Sequence, residues 1–149
     1  MLSNHATTGK TLQKRQEWDH ARCPRCGENG EDVEHVLICT NIEAQTKWRA
    51  NVEKLEKWMK QTKTAPHLKN SFIQHLNYWH KGKEIHFTTS NRKMRSAIDH
   101  QNKIGWNNVP LGLISPKWNE VQEQYHTKMK NKYTLGKRWI SELIKKCWM

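Results

Sequence analysis

Three of the four cysteines of this chain lie within the seventeen residues of Cys23–Cys39, CPRCGENGEDVEHVLIC. The first pair is separated by two residues, a spacing that lets a tight turn bring both sulfurs to one ion. Gly27 follows directly and permits the positive φ that such a turn needs. His35 and Cys39 are four residues apart, which on a helix puts both side chains on one face. The segment therefore predicts a metal site with four ligands.

The predicted ligands are Cys23, Cys26, His35 and Cys39. Zinc prefers thiolate sulfur and imidazole nitrogen in a tetrahedron, and four protein ligands leave no open position for water. We therefore expect a structural zinc ion, without which this segment is unfolded. The alternative is that the cysteines are free thiols and that His35 is a surface imidazole.

A disulfide framework is disfavoured, because no secretory signal precedes the cysteines. We expect an intracellular protein of the nucleus or cytoplasm, and in such a reducing compartment clustered cysteines more often bind metal.

Charge is divided unevenly along the chain. Residues 1–40 carry five Lys/Arg against six Asp/Glu, whereas residues 41–149 carry 21 against eight. Such a basic region attracts polyanions, of which nucleic acid is the commonest. A membrane partner is disfavoured, because no apolar window approaches transmembrane length and the cations are not confined to one amphipathic helix. The alternative is a basic surface that is merely solvated.

Apolar residues recur at three- to four-residue spacings and predict a mainly α fold. We expect an N-terminal loop and zinc-binding knuckle over 1–40, then a basic helical region of about four to five helices over 41–149. The last helix stops in mid-pattern, so we expect that this region is truncated at its C-terminus. The predicted helices cover residues 42–62, 66–80, 91–103, 115–132 and the segment from 137 onward.

The remaining segments are less regular. Residues 1–22 show no clear period and are predicted as loop. Residues 84–88 form a candidate strand, and residues 104–114 form an ordered apolar loop that packs Trp106.

Cations stand beside aromatic rings on the first long helix. Lys57 precedes Trp58, and a base can stack on such a ring while the cation meets phosphate. Trp58 lies off the apolar stripe of Val52, Leu55 and Met59. Its ring could therefore either be exposed and stack on a base or be buried in the core. The residues predicted to contact nucleic acid are Arg49, Lys54, Lys57, Trp58 and Lys60.

Two other groups lack the pattern of a site. Gly9-Lys10-Thr11 resembles the end of a phosphate-binding loop, but Asn4 stands where that loop requires glycine. His75, His80 and His86 share no helical face cleanly and are expected to be solvated or stacking residues. The chain also lacks a pair of catalytic carboxylates or an activated nucleophile, so we predict neither an enzyme nor a small-molecule substrate.

The cysteine segment resembles the zinc-binding segment that follows the polymerase region in reverse transcriptases of eukaryotic non-LTR retrotransposons. The matching positions are Cys23, Cys26, Gly27, Glu31, His35, Val36-Leu37 and Cys39. The resemblance is firm over Trp18–Thr40 and implies a transposon-derived fragment, the C-terminal piece of a larger element. The polymerase signature Tyr-x-Asp-Asp is absent from the sequence, so only the zinc positions carry over.

These observations predict a non-catalytic, zinc-stabilised module that binds RNA or DNA with weak sequence preference. The alternative is a zinc-stabilised helical protein-interaction module, or a transposon relic without function.

Overall fold

The computed structural model describes residues 7–128, which are mainly helical and contain no β-strand. The prediction of a mainly α fold is confirmed. The elements in chain order are α1 (Gly9–Lys14), α2 (Val33–Ile38), α3 (Ile42–Gln61), α4 (Pro66–His80), α5 (Arg92–Ile104), the 3₁₀-helix Trp106–Leu111 and α6 (Lys117–Lys128). The helix predicted from residue 137 onward lies outside the described residues.

Two compact units make up the chain, residues 1–51 and 52–149, and the boundary between them falls inside α3. All four predicted zinc ligands belong to the first unit. Between residues 7 and 128, every helix is too short or too polar to cross a bilayer.

In the first unit, α1 replaces part of the loop predicted over residues 1–22. Thr8 is its N-cap, and the threonine hydroxyl accepts the backbone N–H of Thr11 at 3.4 Å. The buried carboxylate of Glu31 accepts the N–H of Gly9 at 2.8 Å. This short helix therefore depends on a partner 22 residues away, which local periodicity does not reveal.

The second unit is built around three buried aromatic side chains. The ring of Phe72, on α4, lies edge-on to those of Trp106 and Trp118, with both centroid distances 5.4 Å. Such tilted aromatic contacts add to the stability gained from burying large apolar surfaces. Trp106 packs as predicted, and its segment forms a 3₁₀-helix within the expected ordered loop.

Two fully buried glutamine side chains form hydrogen bonds with the backbone of the segments that connect the helices of this unit. Gln101 Oε1 accepts the N–H of Ser115 at 2.9 Å. Gln122 Oε1 accepts the N–H of Ala65 at 2.8 Å, and its amide nitrogen donates to the carbonyl of Lys63 at 3.2 Å. The buried backbone groups of these connections therefore have partners, as a stable interior requires.

The predicted helices over 42–62, 66–80 and 91–103 are confirmed as α3, α4 and α5, to within a residue at each end. The strand predicted over 84–88 is wrong, since these residues have no regular structure. A strand needs the backbone groups of a neighbouring strand, and none of the described residues supplies one.

His75 and His80 are buried rather than solvated. The His75 ring stacks on Trp106, with centroids 5.1 Å apart and planes at 19°. Its Nδ1 donates to the carbonyl of Ser71 at 2.7 Å. Stacking therefore occurs within the core of the second unit.

Candidate metal centre

Four potential ligand atoms converge in the first unit. The sulfurs of Cys23, Cys26 and Cys39 and an imidazole nitrogen of His35 all lie within 4.8 Å of one another. Cys23 Sγ is 3.9 Å from Cys39 Sγ, and Cys26 Sγ is 3.2 Å from His35 Nε2. Around a tetrahedral zinc ion, bonds of about 2.0–2.3 Å set ligand atoms about 3.5–3.8 Å apart. The four residues can therefore bind a metal ion with shifts of about 1 Å.

A tight turn presents the first two cysteines. The N–H of Cys23 donates to the carbonyl of Glu28 at 2.7 Å, and the N–H of Gly27 donates back to the carbonyl of Cys23 at 2.8 Å. Gly27 has φ +78°, the positive value expected from its place after Cys26. A residue with a Cβ is strained in this conformation, so the sequence uses glycine here.

The start of α2 places His35 in the site. Asp32 is the N-cap, and its Oδ1 accepts the backbone N–H of His35 at 2.9 Å. Cys39 is the C-cap, and its ψ of 133° places it just beyond the helix. The prediction that one helix carries both ligands is therefore correct for His35 and wrong for Cys39, which reaches the site from the extended residue that follows.

Polar side chains form hydrogen bonds between the backbone segments that carry the potential ligands. Arg25 donates to the carbonyl of Val36 at 3.1 Å, and Asn41 donates to the carbonyl of Arg25 at 3.0 Å. Gln45 donates to the carbonyl of Cys39 at 2.7 Å. The turn, α2 and the start of α3 are thus tied together around the sulfurs.

The thiols of this site differ in acidity. Burial opposes ionisation of Cys23. Hydrogen bonds, first of all from the backbone N–H groups of Cys26 and Arg25, outweigh burial and lower the pKa of Cys23 to about 7. The N–H of Glu28 favours the Cys26 thiolate, yet burial and the sulfurs of Cys23 and Cys39 together raise the pKa of Cys26 to about 11. A bound cation is therefore needed to ionise the Cys26 thiol at neutral pH, and its binding releases protons.

The sequence analysis did not single out Glu28, whose side chain lies near the second nitrogen of His35. Its carboxylate lies 3.9 Å from His35 Nδ1, the ring nitrogen that faces away from the sulfurs. Metal-bound histidines commonly direct their second nitrogen to a carboxylate, which fixes the ring orientation. No local pattern predicts this proximity, because the glutamate precedes the histidine by seven residues across a loop.

Four of the five residues predicted to contact nucleic acid are exposed cations, namely Arg49, Lys54, Lys57 and Lys60. Lys60 also pairs with Glu56 at 3.3 Å. Trp58 is only 9% exposed, so its ring offers no open face to a base. The reason is that it lies three residues after buried Leu55, and the buried side of α3 is broad enough to include it. The structure therefore removes Trp58 from the predicted nucleic-acid surface.

No family model, curated protein or solved structure gives a significant match to this chain. The resemblance to the retrotransposon segment therefore remains a prediction that rests on its own residues.

Proposed function

We propose that this chain is a non-catalytic nucleic-acid-binding module whose first unit is stabilised by a structural zinc ion. The observation that carries the proposal is the convergence of three cysteine sulfurs and one imidazole nitrogen within 4.8 Å. Sulfur and nitrogen donors suit zinc, whereas magnesium and calcium prefer oxygen. The resemblance to the retrotransposon zinc segment supports the same ion at the same four positions.

A structural role is favoured over a catalytic one. Four protein donors complete a tetrahedron and leave no position for a reacting water molecule. Two of the neighbouring acids also have other partners, since Glu31 accepts the N–H of Gly9 and Asp32 caps α2. Neither carboxylate is available as a general base.

The second unit supplies the charge for nucleic-acid binding. Residues 52–128 contain 13 lysines and arginines but six aspartates and glutamates, an excess of seven positive charges. Glu56 pairs with both Lys60 at 3.3 Å and Lys69 at 3.6 Å, so two cations share one carboxylate. A surface of this kind binds the phosphate backbone through charge, which carries little sequence information.

The zinc ion is tested by native mass spectrometry of the full chain. We expect one zinc per chain, lost on chelation and lost in Cys26→Ser. The matched control is Cys147→Ser, a cysteine outside the described residues and outside the ligand set, which keeps the ion. A chain that carries no metal after purification with zinc, or a Cys26→Ser variant with unchanged zinc content, contradicts the proposal.

Nucleic-acid binding is tested with labelled single-stranded RNA and duplex DNA of about 20 nucleotides or base pairs, titrated between about 50 and 500 mM salt. We expect similar affinity for unrelated sequences and a steep loss of affinity with salt. Affinity that does not change with salt excludes phosphate contacts as its source. Absence of binding to either probe at micromolar protein removes the function and favours the protein-interaction alternative.

A further inference from the structure

A basic cleft lies beside α5 and the start of α6 in the second unit, with a volume of about 380 Å³. Each residue that lines it has a polar or charged side chain, and these residues are Arg92, Arg95, Ser96, Asp99, His100, Lys103 and Lys117. Sites for small organic ligands are lined mainly by apolar side chains. The lining therefore favours a polyanion over a compact organic substrate, and none of it belongs to the surface predicted on α3.

The cleft residues of α5 lie on one side of the helix. The opposite side is buried and consists of Met94, Ala97, Ile98 and Gln101. Arg92 and Lys103 mark the two ends of the cationic side, about 16 Å apart at 1.5 Å of rise per residue. One strand of a duplex carries a phosphate about every 3.4 Å along its axis. This cationic side is therefore long enough to follow several phosphates rather than one anion.

Local hydrogen bonds position two further side chains of the cleft, those of Lys117 and His100. Lys117 Nζ donates to Ser96 Oγ at 2.8 Å, which leaves two ammonium protons for a ligand. Ser115 is fully buried and accepts the N–H of Lys117 at 3.2 Å, while its Oγ lies 2.7 Å from His100 Nδ1. The contact with Ser115 fixes the orientation of the His100 ring. Donors held in this way lose less conformational entropy on binding.

The positive charge of the cleft is not neutralised internally. Among residues 7–128, Arg92, Arg95, Lys103 and Lys117 have no carboxylate oxygen within 4.0 Å. Asp99 is the one acid of the lining, so four cations face a single carboxylate. An anionic ligand therefore gains charge-assisted hydrogen bonds here without first breaking an ion pair.

We propose that this cleft binds the phosphate groups of a nucleic-acid backbone, an inference that rests on the proposed function and gives it a defined site. Arg92 and Lys103 contact phosphates toward the two ends of the cleft, and Lys117 contacts a phosphate from the α6 side.

The test compares two double variants of the full chain that remove the same charge. Arg92→Gln/Lys103→Gln alters the cleft, whereas Lys81→Gln/Lys83→Gln alters two exposed lysines that follow α4. With the RNA and DNA probes described above, we expect the cleft variant to lose about tenfold in affinity and to lower the salt slope by about two, one for each phosphate contact. The control variant should change affinity by less than about threefold, because neither lysine lines the cleft and their charge acts only through a screened field. Equal losses in both variants, or no loss in the cleft variant, overturn the cleft as the site.

A footprint on the unaltered chain gives a second readout. Acetylation of Lys103 and Lys117 should slow when RNA is bound, while acetylation of Lys81 and Lys83 should not. Equal protection of all four lysines contradicts a local site. Equal protection of Lys103 and Lys117 by inorganic phosphate, at the same total phosphate concentration, identifies a single-anion site and overturns the proposal. A chain that binds neither probe removes the proposed function together with the cleft, whereas binding that survives Arg92→Gln/Lys103→Gln removes the cleft alone.

Discussion

The two units of this protein differ in what fills their interiors. In the first, a cluster of buried residues consists of Cys23, Cys39 and Ala44, with Cys26 packed against it. In the second, large side chains such as Phe72 and Trp118 are fully buried. A short segment with so little apolar volume needs a cross-link or a metal to fold, whereas a larger helical unit is stabilised by packing. Loss of metal and loss of core volume should therefore damage different parts of the chain.

The largest expected effect comes from removing a ligand. Cys39→Ser deletes a fully buried sulfur, and the lost metal-binding energy is on the order of 10 kcal/mol. We expect hydrogen exchange to show loss of protection across residues 7–41 while α4, α5 and α6 stay protected. Cys147→Ser is the control and should leave both units protected. If α4–α6 also lose protection, the two units do not have separate sources of stability.

An intermediate effect is expected from Phe72→Ala, which removes the ring that contacts both Trp106 and Trp118. The cost of deleting such a side chain is about 3–5 kcal/mol. Urea unfolding monitored by circular dichroism should show this loss, and zinc content should stay at one per chain. Phe87→Ala is the matched control, because Phe87 is 37% exposed and its truncation should cost much less. Loss of zinc in Phe72→Ala would show that the metal site depends on the aromatic core.

The smallest expected effect is the pH dependence of the second unit. Burial lowers the pKa of His75, against the opposing hydrogen bond to Ser71. The unfolded chain therefore binds the proton more readily, so this contribution to stability is complete above about pH 6.5 and is lost as the pH falls through the lower folded pKa. Hydrogen exchange of α4 between neutral and acid pH should show the loss. His75→Gln should weaken this dependence without abolishing it, because burial also lowers the pKa of His67. His86→Gln, at an exposed position, should leave it unchanged.

Features set by local residue spacing can be predicted from this sequence, whereas features set by contacts between distant residues cannot. Apolar spacing predicts α3, α4 and α5, because the buried face of a helix repeats every three to four residues. Donor chemistry identifies the four potential metal ligands because their spacings are short. Neither kind of local pattern predicts α1, whose first backbone amide donates to Glu31. Neither predicts that His75 is buried against Trp106. The sequence also leaves open whether Trp58 is exposed or buried, because tertiary packing decides what covers a side chain beside an apolar stripe.

The carboxylate held at the first amide of α1 has a consequence for how this protein should be screened. Gly9-Lys10-Thr11 looks like the end of a nucleotide-binding turn. However, the carboxylate of Glu31 already accepts the backbone N–H of Gly9, which a phosphate oxygen would otherwise accept. The side chain of Lys10 is likewise engaged, 2.7 Å from Asp32. A triphosphate offered to this turn must displace the chain's own acid, so ATP-analogue probes should leave it unlabelled.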